Sequence, residues 1–214
     1  MPPFFKDRKD AGRQLGNAMP QVYRGREDVI VLGLPRGGVP LAEQVATALD
    51  APMDVLVVRK LGVPGHKEYA MGAIAPGGIM ILDERVVRAM GLTREAVDAV
   101  KEAERKELDR RQHHYRAGRP ALALAGKTVV LVDDGLATGS TMQAAVAAAR
   151  KYDAAAVVVA VPVSSSEACD ALAAQVDEIV CLFTPPLFQA VGKWYASFPQ
   201  TSDEEVSDIL VRMN

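Results

Sequence analysis

The chain has 214 residues, of which 49% are hydrophobic and 24% are charged, and its formal net charge is −2. This length allows one α/β domain with a well-buried core, and the composition is that of a globular rather than a disordered protein. A charge this close to zero provides no overall basic field. We therefore expect neither a nucleic-acid partner nor a membrane partner.

Cysteine usage and hydropathy bear on the cellular location. The sequence has no apolar run near the roughly 20 residues that span a bilayer, and its first residues lack the pattern of a secretory signal. Cys169 and Cys181 lie outside any CxxC or Cys/His set, which is typical of reduced, structural cysteines. These features predict a cytoplasmic protein without a zinc site.

Five short segments rich in β-branched residues are predicted to be buried parallel strands. They are 29–34, 53–58, Thr128–Val132, 155–161 and 178–182. Helical patterns lie between most of them, at 40–49, 141–151 and 166–175. The alternation predicts an α/β fold with a doubly wound, mainly parallel five-stranded sheet and right-handed crossovers.

The segment between the second and third predicted strands interrupts this alternation. Glycines and a proline at 62–65 mark a loop, and a Gly-Gly pair separates two strand-like runs, 68–75 and 79–82. Thr93 is a candidate N-cap for a long, highly charged helix that reaches about Tyr115. Such a helix is expected to be solvated or to bridge parts of the molecule.

The C-terminal part of the chain differs in composition from the rest. Residues 183–198 are rich in aromatic side chains and prolines, and a short helix is predicted from Ser202 or Asp203 to about Arg212. We expect a single domain over 1–214. Its expected parts are a core of about 27–182, a helical insertion of about 84–120, and a small hood from 1–25 and 183–214.

The segment that follows Thr128–Val132 carries the most informative chemistry. The carboxyl edge of a parallel sheet is where α/β proteins bind ligands. Residues 138–141 present backbone N–H groups and hydroxyls at a predicted helix N-terminus, which suits a phosphate, and Gly139 permits a close backbone approach. Asp133 and Asp134 would repel a phosphate, so they fit ribose hydroxyls with a nearby Mg²⁺.

Two common phosphate-binding motifs fit this segment poorly. The Walker pattern requires a Gly-Lys-Ser/Thr, which does not follow the strand. A Rossmann motif requires glycines after the first strand and an acid about 20 residues later, and Gly33 with the pair 37–38 satisfies this only in part. A chance strand-acid-acid-turn-helix arrangement is the remaining alternative.

The string 133–142, Asp-Asp-Gly-Leu-Ala-Thr-Gly-Ser-Thr-Met, resembles the signature for 5-phosphoribosyl-1-pyrophosphate (PRPP) of type I phosphoribosyltransferases, most closely that of the adenine enzymes. The resemblance implies their fold, with 29–34 beside Thr128–Val132. It implies that Asp133 and Asp134 hold the ribose hydroxyls, with Mg²⁺ nearby on PRPP. The residues implied to wrap the 5′-phosphate are Ala137, Thr138, Gly139, Ser140 and Thr141.

The segment after the first strand resembles the pyrophosphate loop of the same family. Arg36 stands ahead of Gly37 and Gly38, as a basic residue usually does in that loop. Related enzymes carry a cis peptide here that does not precede proline, which predicts a cis bond between Pro35 and Arg36. A tight turn between strand and helix is the alternative interpretation.

Arg59 and Lys60 resemble the cationic pair that precedes the mobile catalytic loop of adenine-type enzymes. The resemblance implies a catalytic role for both against the pyrophosphate leaving group, although two such cations are also common on a protein surface. The mobile loop is then expected at 62–69, where His66, Lys67 and Glu68 are candidate polar contacts.

The hood recognises the base in this family and is its variable part. The candidate pieces are 4–21 and 183–198, with Phe183, Phe188 and Trp194 as candidate base-stacking residues; an aromatic satellite of the core is the alternative. Hypoxanthine–guanine enzymes carry an acid at the position of Ala137. Alanine there argues against a 6-oxopurine acceptor handled in the same way.

The expected function is transfer of the phosphoribosyl group from Mg-PRPP to a nitrogenous base or related nucleophile, with release of pyrophosphate. The expected context is nucleotide metabolism and salvage, and the expected assembly is a homodimer. Two alternatives stay open, a PRPP-binding regulatory protein without turnover and an enzyme with a non-base acceptor.

Overall fold

A five-stranded parallel sheet forms the centre of the molecule in the computed structural model, which describes residues 4–213 apart from the side chains of Lys67 and Glu68. Its strands, in the spatial order β2-β1-β6-β7-β8, are β1 (Val29–Gly33), β2 (Met53–Val55), β6 (Thr128–Val132), β7 (Ala156–Val163) and β8 (Glu178–Phe183). All four strand pairs are parallel. The predicted α/β fold class is confirmed.

The two strands that precede the candidate phosphate loops are neighbours, as predicted. β1 and β6 pair in register from Val29 opposite Thr128 to Gly33 opposite Val132. Because both strands run in the same direction, the loops that follow them leave the sheet at the same edge.

The predicted strand 53–58 is shorter in the structure. It ends at Val55, because its partner β1 ends at Gly33. Residues 56–58 stay buried while the chain leaves the central sheet.

Helices cover both faces of this sheet. The helices are α1 (Arg8–Ala18), α2 (Val39–Leu49), α3 (Glu84–Ala89), α4 (Arg94–Arg116), α5 (Ser140–Lys151), α6 (Ser166–Ala173) and α7 (Asp203–Arg212). Successive strand residues point to opposite faces. Val29 and Val31 therefore pack with α1, α2 and α7, whereas Ile30 and Leu32 pack with α5 and α6. Along residues 4–213, no helix is both long enough and apolar enough to cross a membrane.

A second, antiparallel sheet follows β2. It contains β3 (Arg59–Val63), β4 (His66–Ala75) and β5 (Ile79–Leu82). The predicted strand-like runs 68–75 and 79–82 form most of β4 and all of β5. The closing role of 62–69 stays a prediction, but the segment is not a loop throughout, because β3 and β4 form a hairpin in which Val63 pairs with His66. The turn between them needs only two residues because Gly65 adopts a positive φ of 80°. The predicted contacts of Lys67 and Glu68 lie outside the described side chains.

The long helix α4 has the cap that the sequence predicts. The hydroxyl of Thr93 accepts a hydrogen bond from the amide of Ala96 at 3.3 Å, which satisfies one of the free amides of the first turn. The helix packs against β3 and against α7. Its contact with β3 places charged α4 side chains beside the end of the central sheet.

The N-terminal segment packs against the aromatic C-terminal segment. The amides of Phe4 and Phe5 donate to the carbonyl of Trp194 at 3.0 and 2.9 Å. The ring of Phe4 stacks on Phe183 with 4.8 Å between centroids. The two pieces therefore form one cover over the carboxyl edge of β8.

Candidate active site

Asp133 and Asp134 follow β6 directly, at its carboxyl end, and Asp134 lines a cavity there. The Asp134 amide donates to Oδ1 of Asp133 at 2.9 Å. Arg8 of α1 contacts Oδ2 of Asp134 through Nε at 2.9 Å and through Nη2 at 2.8 Å. These two contacts to one carboxylate oxygen link the N-terminal helix to the candidate ribose-binding acids.

The two carboxylates differ in their electrostatic surroundings. Burial, and then repulsion by Asp134, raise the pKa of Asp133 well above its usual range. Burial also raises the pKa of Asp134, but the charge and hydrogen bonds of Arg8 oppose that rise. Asp133 is therefore the less compensated of the two negative charges. Hydroxyl donors or a cation would stabilise it.

Tyr195 holds the backbone of the same pair from the hood side. Its hydroxyl donates to the carbonyl of Asp134 at 2.6 Å. Burial raises the pKa of Tyr195, so this hydroxyl stays protonated at neutral pH and keeps donating.

The loop 135–139 is fastened to the neighbouring strand. The amide of Leu136 donates to the carbonyl of Val163 at 2.9 Å, and the Ser165 hydroxyl donates to the carbonyl of Ala137 at 2.8 Å. Gly139 has a φ of 75° and is the N-cap of α5, without a side-chain cap bond. First-turn amides of α5 thus point toward the loop, an arrangement that accommodates a phosphate.

The loop 35–38 packs tightly against the two acids. The peptide bond between Pro35 and Arg36 is cis, as predicted. A Cβ atom on Gly37 would lie 2.0 Å from Oδ2 of Asp134, and one on Gly38 would lie 2.4 Å from the carbonyl oxygen of Val132. The clash at Gly38 is with backbone atoms, so only glycine fits there, whereas a side chain at position 37 would have to displace the carboxylate of Asp134.

A cavity of about 450 Å³, which we call the arginine crevice, lies beside these loops. It is lined by Arg8, Arg36, Arg59, Arg111 and Asp134, with Gly37 and the hood residues Val191, Phe198, Gln200 and Thr201 completing it. Each of the four guanidinium groups lies near a carboxylate, and together they supply several N–H donors of the kind that bind an anion.

The predicted phosphate-loop residues line a different cavity, of about 530 Å³. Ala137, Thr138 and Ser140 form one wall, and Glu167 of α6 and the segment 81–86 lie opposite. The signature segment 133–142 therefore contributes to both cavities, Asp134 to the arginine crevice and the loop to this second one.

The structure separates the two predicted catalytic cations. Arg59 lines the arginine crevice and donates through Nε to Oε2 of Glu104 at 2.8 Å. Lys60 is the next residue of β3, and because successive strand side chains alternate between faces, it does not line this cavity.

The three predicted base-stacking residues are not brought together with the acids. Phe183 and Trp194 line a third cavity, of about 510 Å³, with Pro185 and Leu187. Phe188 packs, partly buried, against the core. Phe198, stacked under the guanidinium of Arg8 at 3.8 Å, is the aromatic ring that lines the arginine crevice.

The sequence motifs do not include Arg8, Arg111 or Phe198. Arg8 contacts an acid 126 positions away, and no local pattern marks such a contact. Arg111 lies on a helix whose many charges indicate a solvated surface. The one feature of the sequence that points to Arg8 and Phe198 is their position in the two expected hood segments.

Fold and site together define an α/β protein with two anion-accommodating loops at the carboxyl edge of its sheet. Comparison with known families agrees, since the phosphoribosyl transferase domain model matches residues 6–183. The chain belongs to the phosphoribosyl transferase family.

Known relatives extend this comparison. The chain is 50% identical over 209 residues to a Mycobacterium tuberculosis protein provisionally named a phosphoribosyl transferase, a match that covers 98% of this chain and 47% of that protein. The chain thus spans about half the length of the curated relatives it matches.

Solved structures resemble the whole chain. A Thermus thermophilus protein is 41% identical, with a TM-score of 0.80 over 100% of this chain and 99% of that one. An Aquifex aeolicus protein at 16% identity covers 95% and 84% of the two chains with a TM-score of 0.53, and shares the fold alone.

Proposed function

We propose that the protein transfers the 5-phosphoribosyl group from Mg-PRPP to a nitrogenous base or related nucleophile and releases pyrophosphate. The observation that carries this proposal is the contact between the two signature loops, since a Cβ on Gly37 would lie 2.0 Å from Asp134. A ligand that touches both loops needs a ribose-like centre and a negatively charged group beside it. PRPP has both.

The two cavities support a particular placement of PRPP. The ribose hydroxyls bind Asp133 and Asp134, the 5′-phosphate binds the loop 137–141, and the pyrophosphate lies in the arginine crevice. PRPP carries phosphates on both sides of its ribose, which matches a signature segment that contributes to both cavities.

The acid pair fits the Mg²⁺ that this family uses with PRPP. The partly buried Asp133 carboxylate has a raised pKa, and carboxylate oxygens are hard ligands of the kind that Mg²⁺ prefers. When bound with PRPP, the ion would be held near Asp133 and Asp134 and would neutralise charge on the pyrophosphate.

Arg36 and Arg59 are the proposed contacts of the leaving group. Negative charge accumulates on pyrophosphate as its bond to the ribose breaks, and fixed cations stabilise that charge in the transition state. Lys60 stays a predicted catalytic residue, on the strength of its place beside Arg59.

The acceptor is proposed to enter from the hood side. Val191 and Phe198 line the arginine crevice next to Asp134, and therefore lie near the reacting end of the ribose in this placement. Base stacking by Phe183, Phe188 or Trp194 stays a prediction. So do the homodimer, the salvage context and the cytoplasmic location.

Two measurements test the proposal. Calorimetry with Mg-PRPP is expected to show binding, and a screen of nitrogen nucleophiles is expected to find at least one that releases pyrophosphate. Binding without release from any acceptor would favour a PRPP-sensing regulator. Absence of PRPP binding would contradict both functions.

A further inference from the structure

Helix α4 brings a third guanidinium to the side of the arginine crevice that holds Arg36 and Arg59. Arg111 lines the crevice with a side chain that is only 16% exposed. It lies on α4, outside the two loops and the cationic pair that the family motifs identify.

Two acids on one face of α4 hold two arginines of the crevice in the same way. Glu104 accepts from Nε of Arg59 at 2.8 Å, and Glu107 accepts from Nε of Arg111 at 2.7 Å. Positions 104, 107 and 111 are three and four residues apart, so they lie on one side of the helix. Arg59 and Arg111 are thus fixed side by side along it.

The outer end of Arg111 is available to a ligand. Glu107 accepts from its Nε, and its two terminal nitrogens donate to no other residue among 4–213. Those nitrogens carry four N–H donors in a fixed planar arrangement. These donors face an open crevice, so water accepts from them in the free protein and an anion that enters can accept from them instead.

Arg111 and Arg36 both act on Asp203, the first residue of α7. Nη1 of Arg36 is 3.6 Å from Oδ1 of Asp203. The pKa of Asp203 is lowered first by its hydrogen bond with Tyr115 and further by the charges of Arg36 and Arg111. The guanidinium groups of Arg36 and Arg111 therefore both lie close enough to Asp203 to stabilise its negative charge.

We infer that Arg111 binds the pyrophosphate of PRPP together with Arg36 and Arg59. The inference rests on the proposed function, and adds a residue from the helical insertion to the leaving-group site. Three fixed guanidinium groups match the several charged oxygens of pyrophosphate, which gain negative charge as it leaves.

The chain offers a matched control in the adjacent residue. Arg110 also pairs with Glu107, at 2.7 Å, and lies 3.8 Å from Asp203, but its side chain is 53% exposed and does not line the crevice. Arg110→Gln and Arg111→Gln therefore each remove one partner of Glu107. Only Arg111→Gln removes a donor from the crevice.

The test compares binding of Mg-pyrophosphate, ribose 5-phosphate and Mg-PRPP to the whole chain by calorimetry. Arg111→Gln is expected to weaken Mg-pyrophosphate and Mg-PRPP at least about tenfold and to leave ribose 5-phosphate unchanged, whereas Arg110→Gln leaves all three unchanged. Arg111→Lys keeps the positive charge but not the planar set of N–H donors, and its affinity for Mg-pyrophosphate is expected to fall severalfold. If Arg111→Gln fails to fold, the affinity of Arg111→Lys for Mg-pyrophosphate tests the inference instead, and an unchanged affinity overturns it.

The outcomes separate the inference from the function on which it rests. Equal affinities for Mg-pyrophosphate in the Arg111 and Arg110 variants would overturn the inference alone, provided the unmodified protein binds Mg-PRPP. If the unmodified protein binds neither Mg-PRPP nor Mg-pyrophosphate, the proposed function fails, and the inference fails with it.

Discussion

Two adjacent carboxylates lie at the end of β6, where burial and then mutual repulsion raise the pKa of Asp133 well above its usual range. The folded, ligand-free protein therefore binds a proton at Asp133 more tightly than the unfolded chain does. The free energy of unfolding therefore falls as the pH rises from the pKa of Asp133 in the unfolded chain to its higher pKa in the folded protein. Above the folded pKa, Asp133 is ionised and destabilises the folded protein fully. Ionised Asp133 therefore destabilises the folded protein at the position of the proposed ribose site.

Asp133→Asn is expected to abolish turnover while raising the free energy of unfolding. Loss of a group that contacts the ribose should lower the rate at least about 100-fold. The gain in stability should be present at neutral pH and disappear as the pH falls below about 4, where the unfolded carboxyl is protonated. Chemical denaturation at several pH values measures it. Exposed Asp170→Asn is the control, and equal stability of both variants at neutral pH would contradict the account.

The close approach of the two loops gives a second prediction at this scale. Gly37→Ala places a methyl group 2.0 Å from the Asp134 carboxylate. We expect a loss of about 1–3 kcal/mol in stability and a fall of about tenfold or more in PRPP affinity. Gly25→Ala is the control, because that position has a φ of 67° and open space, so only the backbone cost of about 1 kcal/mol applies. Unchanged PRPP affinity in Gly37→Ala would argue against a shared ligand site.

Residues of the site differ in how far the sequence identifies them. Asp133, Asp134 and the loop 137–141 are contiguous, so their spacing alone predicts a shared role. Arg8 and Phe198 meet the same acids only because α1 and the C-terminal segment fold against each other. Contacts of that kind leave no periodic or local pattern in one sequence.

Elements of the core follow closely from hydrophobic patterning. β1, β6 and β7 are buried on both faces, so their segments are almost continuously apolar. The sequence predicts most of β4 but a loop in place of the end of β3, because Gly62, Pro64 and Gly65 suggest a break in structure. The pairing of β3 with β4 depends on the partner strand rather than on the apolar content of either segment.

At the scale of elements, α4 is proposed to support the leaving-group site through Glu104, which holds Arg59. Glu104→Gln removes the charge that orients this guanidinium. We expect turnover to fall by about threefold to tenfold, less than in Arg59→Gln, because Arg59 itself remains. Glu102→Gln is the control, since among residues 4–213 Glu102 forms an ion pair only with the exposed Arg105 of the same helix. Steady-state kinetics with varied PRPP measures the effect, and equal rates in the two glutamate variants would contradict a supporting role for α4.

Across the whole molecule, one sheet edge gathers residues from distant parts of the chain. α1 supplies Arg8, the loop after β1 supplies Arg36, α4 supplies Arg111 and the segment after β8 supplies Phe198. The order β2-β1-β6-β7-β8 places β1 and β6 at the middle of this edge. The site is thus a property of the complete fold of this chain, including both hood segments and the insertion.

The central claim is that Asp133 and Asp134 bind the ribose of PRPP, and a Mg-PRPP titration tests it most directly. Calorimetry on the unmodified protein and on Asp134→Asn, each checked by thermal melting, provides the comparison. We predict clear binding by the unmodified protein and a loss of at least about tenfold in affinity for a variant that stays folded. A folded Asp134→Asn protein that binds Mg-PRPP as tightly as the unmodified protein would contradict the claim.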